Sequence, residues 1–355
     1  MVLRVLFACA ALALAVAAPR AALSQQAINL TIASSHPTTF LPVGLMATHF
    51  RAEVDRLLAA GGNKFRINWK ESYGGALFKL QDTMEAVRDG ITDIGFVGTL
   101  WEGDTMPLSN ITFFTPFSTP NPAFQSRVMD HLIRTQPAMR KEWEANNLQY
   151  LGPIVVESYD LWTTRPVASL ADLKGRRINA PGVAGLWLQG TGAVAVDGGL
   201  PTYYTNIQTG VTEGAVSFYT GILSVRVHEV APLITTVDLG SMFIGAVAMS
   251  LDRFRKLPRE VQQALIEAGR SYGERLVAET IANTGKARQI MESQGSKVSV
   301  LPAAERAKWI SALPNLAGDW VKANEARKLP AREILSAYMA ALRKAGEKPA
   351  RDWDK

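Results

Sequence analysis

The chain has four histidines, His36, His49, His131 and His228, and no two of them stand in the HExxH or HxH spacing that brings two imidazoles to one metal. Zinc chemistry is not expected. Glu157 and Asp160 are a carboxylate pair that acid and base catalysis would use, but proximity along one strand does not supply the opposed geometry which that work requires. Such neighbours are usually solvated. Gly190-Thr191-Gly192-Ala193-Val194-Ala195 meets the relaxed GxGxxA pattern, yet it runs into Val196-Asp197 and a Gly198-Gly199 turn where a phosphate-binding helix would have to begin. No GxSxG elbow and no P-loop occurs, and the single cysteine, Cys9, lies in the first ten residues. No thiol nucleophile, redox pair, cofactor or metal is expected, and nothing demands an enzyme.

Cys9 belongs to an apolar run from Val5 to Ala18 that follows Arg4 and leads into Pro19-Arg20-Ala21-Ala22-Leu23-Ser24-Gln25. This is the pattern of a secretory signal peptide, with Ala22 and Ser24 placed for cleavage before Gln25. The run is shorter than the roughly 20 residues that span a bilayer, and too few apolar residues separate Arg4 from Cys9 for a lipoprotein signal. A soluble periplasmic protein is the expectation. The formal charge of +6 falls to +4 without Arg4 and Arg20, and no dense Lys/Arg cluster appears, which argues against nucleic acid as a partner. A monomer is expected.

Residues 28–34 alternate as a strand, 43–59 repeat apolar positions at helical spacing, and the pattern returns as strand 64–70, helix 76–88 and strand 92–97. Such alternation predicts an α/β lobe built on a mostly parallel sheet. A polar helix over 123–145 leads to an apolar strand at 148–156, and a second α/β series follows, with strands at 177–180 and 211–218. Pro258 to Gly295 is nearly free of helix breakers and predicts one long helix, or two end to end, followed by charged helical segments at 303–323 and 330–345. The expected architecture is therefore a two-lobed α/β protein with a cleft between the lobes and a long lobe-bridging helix. Its domains are a leader at 1–24, a first lobe of 25–154 plus 243–278, a second of 155–242 plus 279–345, and a tail at 346–355.

Four segments, in order, carry a resemblance. They are Glu85 to Phe96 at a helix-to-strand step, Ala171-Asp172-Leu173-Lys174-Gly175 running to Pro181-Gly182, Tyr204-Thr205 through Gln208-Thr209-Gly210-Val211 to Glu213-Gly214, and Phe254 to Pro258. Together they resemble the substrate-binding subunits of tripartite ATP-independent periplasmic (TRAP) transporters, the family named for C4-dicarboxylate uptake, and they cover nearly the whole mature chain. The resemblance implies a receptor that encloses one small molecule by hinge closure and hands it to membrane permease subunits driven by an ion gradient. A periplasmic enzyme, and a ligand-binding partner of a sensor kinase, are the competing readings.

The chain departs from that family where the ligand is held. Asn179 stands where most members carry a carboxylate-forking arginine, and Asp160 aligns with a second arginine, so both are expected ligand contacts along with Glu157 and Tyr159 beside Asp160. Ser217 and Phe218 follow the acidic-Gly pair where a pocket residue is expected, while His36, Phe40, Trp101 and Trp187 occupy loops facing the cleft. The ligand read from these residues is neutral, zwitterionic or amine-bearing, with an ammonium paired to Asp160. The alternative is an ordinary organic acid held by Arg176, Arg177 or another arginine not placed from sequence.

Overall fold

The computed structural model describes residues 25–355, so the leader and its cleavage site lie outside it. Eleven strands follow in chain order: β1 Gln26–Ala33, β2 Phe65–Ser72, β3 Ile94–Val97, β4 Leu148–Ser158, β5 Asp160–Thr163, β6 Arg177–Asn179, β7 Val194–Val196, β8 Gly214–Ser217, β9 Leu233–Thr236, β10 Ser241–Ser250 and β11 Lys297–Val300. They form two sheets, β2-β1-β3-β10-β4 and β11-β9-β5-β8-β6-β7, each the centre of one lobe. Strands β1, β2 and β3 are parallel, and β10 runs antiparallel to both β3 and β4. All ten residues of β10 are buried, so its near-continuous apolar run shows no alternation and escapes a reading by period.

The chain passes between the sheets at Ser158–Asp160 and again at Val237–Gly240. These crossings lie side by side, the Tyr159 N–H donating to the Gly240 carbonyl at 3.1 Å and the Leu239 N–H to the Tyr159 carbonyl at 3.0 Å. Two adjacent crossings join the lobes, where a hinge would act. The helix Arg259–Ser293 spans 35 residues, about 52 Å at 1.5 Å per residue, lying along β4 in the first lobe and reaching the helix Tyr219–Ser224 of the second. It approaches β4 through glycine: a Cβ on Gly152 would come within 2.6 Å of the Gly269 carbonyl carbon, and one on Gly273 within 2.8 Å of the Pro153 ring.

Several expectations need correction. The first-lobe helix read over 76–88 is a short turn at Leu80–Asp82 and a helix only over Thr83–Arg88. The helix read over 123–145 is two, Pro122–Thr135 and Pro137–Ala145, because Pro137 holds Gln136 in an extended conformation. The helices Leu316–Ala326 and Ala331–Lys344, assigned to the second lobe, pack against the helical segments Leu108–Phe114 and Pro122–Thr135 of the first. The tail at 346–355 lies against the first lobe, the Trp353 indole being buried and donating to the Pro116 carbonyl at 2.9 Å.

Candidate functional site

In an open α/β sheet the carboxyl ends of the parallel strands face the crevice where ligands sit. The ends of β1 and β3 do so here. Just beyond β1, His36 is buried with its backbone N–H donating to Ser34 Oγ at 3.1 Å and its Nδ1 at 3.2 Å from Ser35 Oγ. Its ring sits 5.2 Å from Phe40, 5.4 Å from Phe96 and 6.0 Å from Trp101, between centroids. Burial among these rings lowers the imidazole from its ordinary value to about 4, so His36 is neutral throughout the physiological range.

The second lobe presents a matching wall. Tyr159, at the hinge, meets Phe218 edge-on at 5.1 Å, and Phe218 faces Phe40 across the cleft at 6.1 Å. Ser217 closes the end of β8, and Tyr203 comes from the helix Leu200–Gln208. Pro181, Gly199 and Leu200 complete this side, with Leu100 and Ile244 opposite. Thirteen residues line the cleft, and none is Arg, Lys, Asp or Glu. The closed walls leave a cavity of about 20 Å³.

Closure is made by direct contact between lobes. The Trp101 indole N–H donates to the Gly198 carbonyl at 3.3 Å, and Gly199 lies beneath the same ring. Gly182, in the left-handed region at φ 49°, approaches the Leu100 backbone so closely that a Cβ would meet its carbonyl carbon at 2.8 Å.

Of the ten residues singled out from sequence, His36, Phe40, Trp101, Tyr159, Ser217 and Phe218 share this cavity. The other four lie outside its lining. Both Asp160-bound N–H groups, of Val237 and Asp238, donate to its Oδ1 at 2.8 Å, so this carboxylate fastens the two hinge crossings together. Glu157 accepts from the Thr220 N–H at 2.7 Å and hydroxyl at 3.1 Å, at the start of the helix Tyr219–Ser224. The Asn179 amide donates to Thr212 Oγ1 at 2.6 Å and the Gly214 carbonyl at 3.0 Å, and accepts from Asn206 at 2.9 Å, which makes it a brace behind β6 and β8. Trp187 stacks on Phe113 at 5.4 Å, gives its N–H to the Phe113 carbonyl and backs Tyr159 from outside.

Neither neighbouring arginine reaches the site. Arg176 donates to the Arg165 and Pro166 carbonyls, and Arg177 to the Gly210 carbonyl. Phe96, Leu100, Pro181, Gly199, Leu200, Tyr203 and Ile244 were missed as lining residues. Phe96 and Leu100 follow from their place at the carboxyl end of β3; for Tyr203 the only signal was an aromatic in the first turn of a helix after the Gly198-Gly199 turn.

Burial lifts Asp160 from 3.8, and Glu157 from 4.5, to about 7 each, although backbone donors partly oppose the shift. A raised carboxylate pKa stabilises the fold fully below the unfolded value, and that contribution is lost as pH rises through the folded one. For Asp160 the loss runs from about pH 4 to pH 7 and reaches roughly 4 kcal/mol at most. Asp160→Asn keeps an Oδ1 acceptor for both N–H groups and cannot ionise. Denaturant unfolding should show Asp160→Asn level with the wild type at pH 4 and at least about 1 kcal/mol more stable at pH 8. Solute affinity should be unchanged; a loss of affinity at both pH values would return Asp160 to the binding site.

A profile of "Bacterial extracellular solute-binding protein, family 7" matches residues 46–322. A solute-binding protein of Sulfitobacter sp. (strain NAS-14.1) is 31% identical over 117 residues, 32% of this chain and 35% of that relative's length. Among solved structures, a TRAP solute-binding protein of Rhodoferax ferrireducens T118, in complex with copurified benzoate, superposes with a TM-score of 0.80 at 20% identity, covering 90% of this chain and 98% of that one. An extracytoplasmic solute receptor of Bordetella pertussis that binds pyroglutamic acid gives 0.73 at 21% identity, covering 88% and 99%. The family match covers more than half the chain, and the structural likeness covers nearly all of the described residues with the same two-lobed fold. The chain belongs to the bacterial extracellular solute-binding proteins, family 7.

Proposed function

We propose that the chain is the periplasmic receptor of a TRAP transporter, closing on one small, flat, uncharged molecule and delivering it to the membrane permease subunits. The observation that carries the ligand class is the composition of the cleft: rings on both walls and no charged side chain among the thirteen that line it. Both solved relatives described above hold acids, and a carboxylate enclosed by this lining would lose its hydration without gaining a cationic partner, at a cost of several kcal/mol. An ammonium fares no better. The amine-bearing reading depended on Asp160, whose oxygen is engaged by the hinge, and Glu157 is engaged by Thr220. Aromatic walls instead suit an aromatic or similarly flat solute, bound by ring contacts and apolar burial.

Benzoate, benzamide and benzamidine share a shape and differ in charge, so calorimetric titration with the three isolates the effect of charge. Benzamide should bind at least tenfold more tightly than either ion at pH 7. Tighter binding of benzoate would restore the organic-acid reading, and tighter binding of benzamidine the amine reading.

A further inference from the structure

Two polar groups on the cleft lining are engaged by the protein itself. The Trp101 N–H is given to Gly198, and His36 Nδ1 faces Ser35. A third is not. The Tyr203 hydroxyl is buried and has no hydrogen-bond partner among the described residues, although the residue is 1% exposed and lines the cavity. A buried hydroxyl without a partner costs about 1 to 3 kcal/mol, which an acceptor on a bound solute would recover.

We propose that Tyr203 is a specificity-determining residue whose hydroxyl donates a hydrogen bond to a neutral oxygen acceptor, a carbonyl or hydroxyl, on the bound solute. This rests on the reading of the ring-lined cleft as the solute site. Three features support it. Tyr203 sits in the first turn of the helix Leu200–Gln208, directly after the Gly198-Gly199 turn that meets Trp101 on closure, so its position is set by the same contact that shuts the cleft. Burial holds its phenol far above the ordinary range, with Tyr159 and Asp197 adding to the shift, so it remains a protonated donor. Finally, a site that supplies one hydrogen-bond donor discriminates strongly against an otherwise identical molecule lacking the acceptor, because the donor is then left buried and unpaired.

Acetophenone and ethylbenzene form a matched pair, of similar shape, with and without a carbonyl oxygen. Calorimetry should show wild-type protein binding acetophenone at least tenfold more tightly than ethylbenzene, and Tyr203→Phe should abolish most of that preference by weakening acetophenone alone. The solute-free melting temperature of Tyr203→Phe should equal or exceed that of the wild type, since the change deletes an unsatisfied group. A lower melting temperature would make the hydroxyl structural and overturn the proposal. A carbonyl preference that persists in Tyr203→Phe would overturn the assignment to Tyr203 while leaving the cleft reading intact. Failure of the wild type to bind either compound, with benzoate bound instead, would overturn the cleft reading as well.

Discussion

Gly199→Val should weaken solute binding about a hundredfold while shifting the thermal midpoint by no more than about 3 °C. Gly199 belongs to the second lobe and lies against the first across the shut cleft: a Cβ there would lie 2.7 Å from Leu80 Cδ2 and 3.3 Å from Trp101 Cζ2. Valine adds two methyl groups beyond that point. Its backbone, at φ −152° and ψ 176°, is extended and suits a β-branched residue, so no local strain accompanies the change. The position precedes a helix but contributes no side-chain cap, so the local cost is at most about 1 kcal/mol. Rotation about the hinge relieves the clash without unfolding either lobe. What is lost is the population of the closed state, and an overpacking penalty near 2.7 kcal/mol lowers apparent affinity by about a hundredfold. Gly199→Ala should fall between. Unchanged affinity in Gly199→Val would mean that binding does not require this closure.

Gly269→Val should leave the protein unfolded or insoluble at 37 °C. The long helix Arg259–Ser293 lies against β4 at a glycine-to-glycine contact, where a Cβ on Gly269 would reach 2.5 Å from the Leu151 carbonyl carbon. Backbone cannot yield as a side chain can. The helix would have to lift from a strand buried for most of its length, exposing Leu265, Ala268 and Tyr272, which are all buried, and we expect more than about 4 kcal/mol of destabilisation. Gly285 on the same helix is the control, since a Cβ there meets nothing within 4 Å. Gly285→Ala should raise stability by about 0.5 to 1 kcal/mol through helix propensity alone. Chemical denaturation of the two variants, read by circular dichroism, separates a packing effect from a propensity effect. A soluble Gly269→Val with wild-type stability would contradict the close approach.

Periodicity made the first lobe and the long helix legible, because amphipathic helices and half-buried strands write their burial into their spacing. It did not reveal β10, which is buried on both faces, nor the three- and four-residue strands β7, β9 and β11, which are too short to show a period. Six of the cavity residues were reachable from their place at strand ends. Asp160 and Asn179 were drawn into the ligand site by chemical type, an acid and an amide at positions where arginine is expected, but type does not reveal which backbone groups a side chain serves. Two N–H groups 77 and 78 residues away claim Asp160, and the hydroxyl of Thr212 claims Asn179. Tyr203 was hidden for the opposite reason: its significance lies in a partner that is missing, which only three-dimensional packing reveals.

Small-angle scattering on the wild type and Gly199→Val, with and without saturating solute, tests the closure of the two lobes most directly. The wild-type radius of gyration should fall on addition of the solute, toward that of the closed form of residues 25–355. Gly199→Val should stay expanded at solute concentrations that close the wild type. Identical wild-type curves with and without a stoichiometrically bound solute would contradict a receptor that works by closing on its ligand.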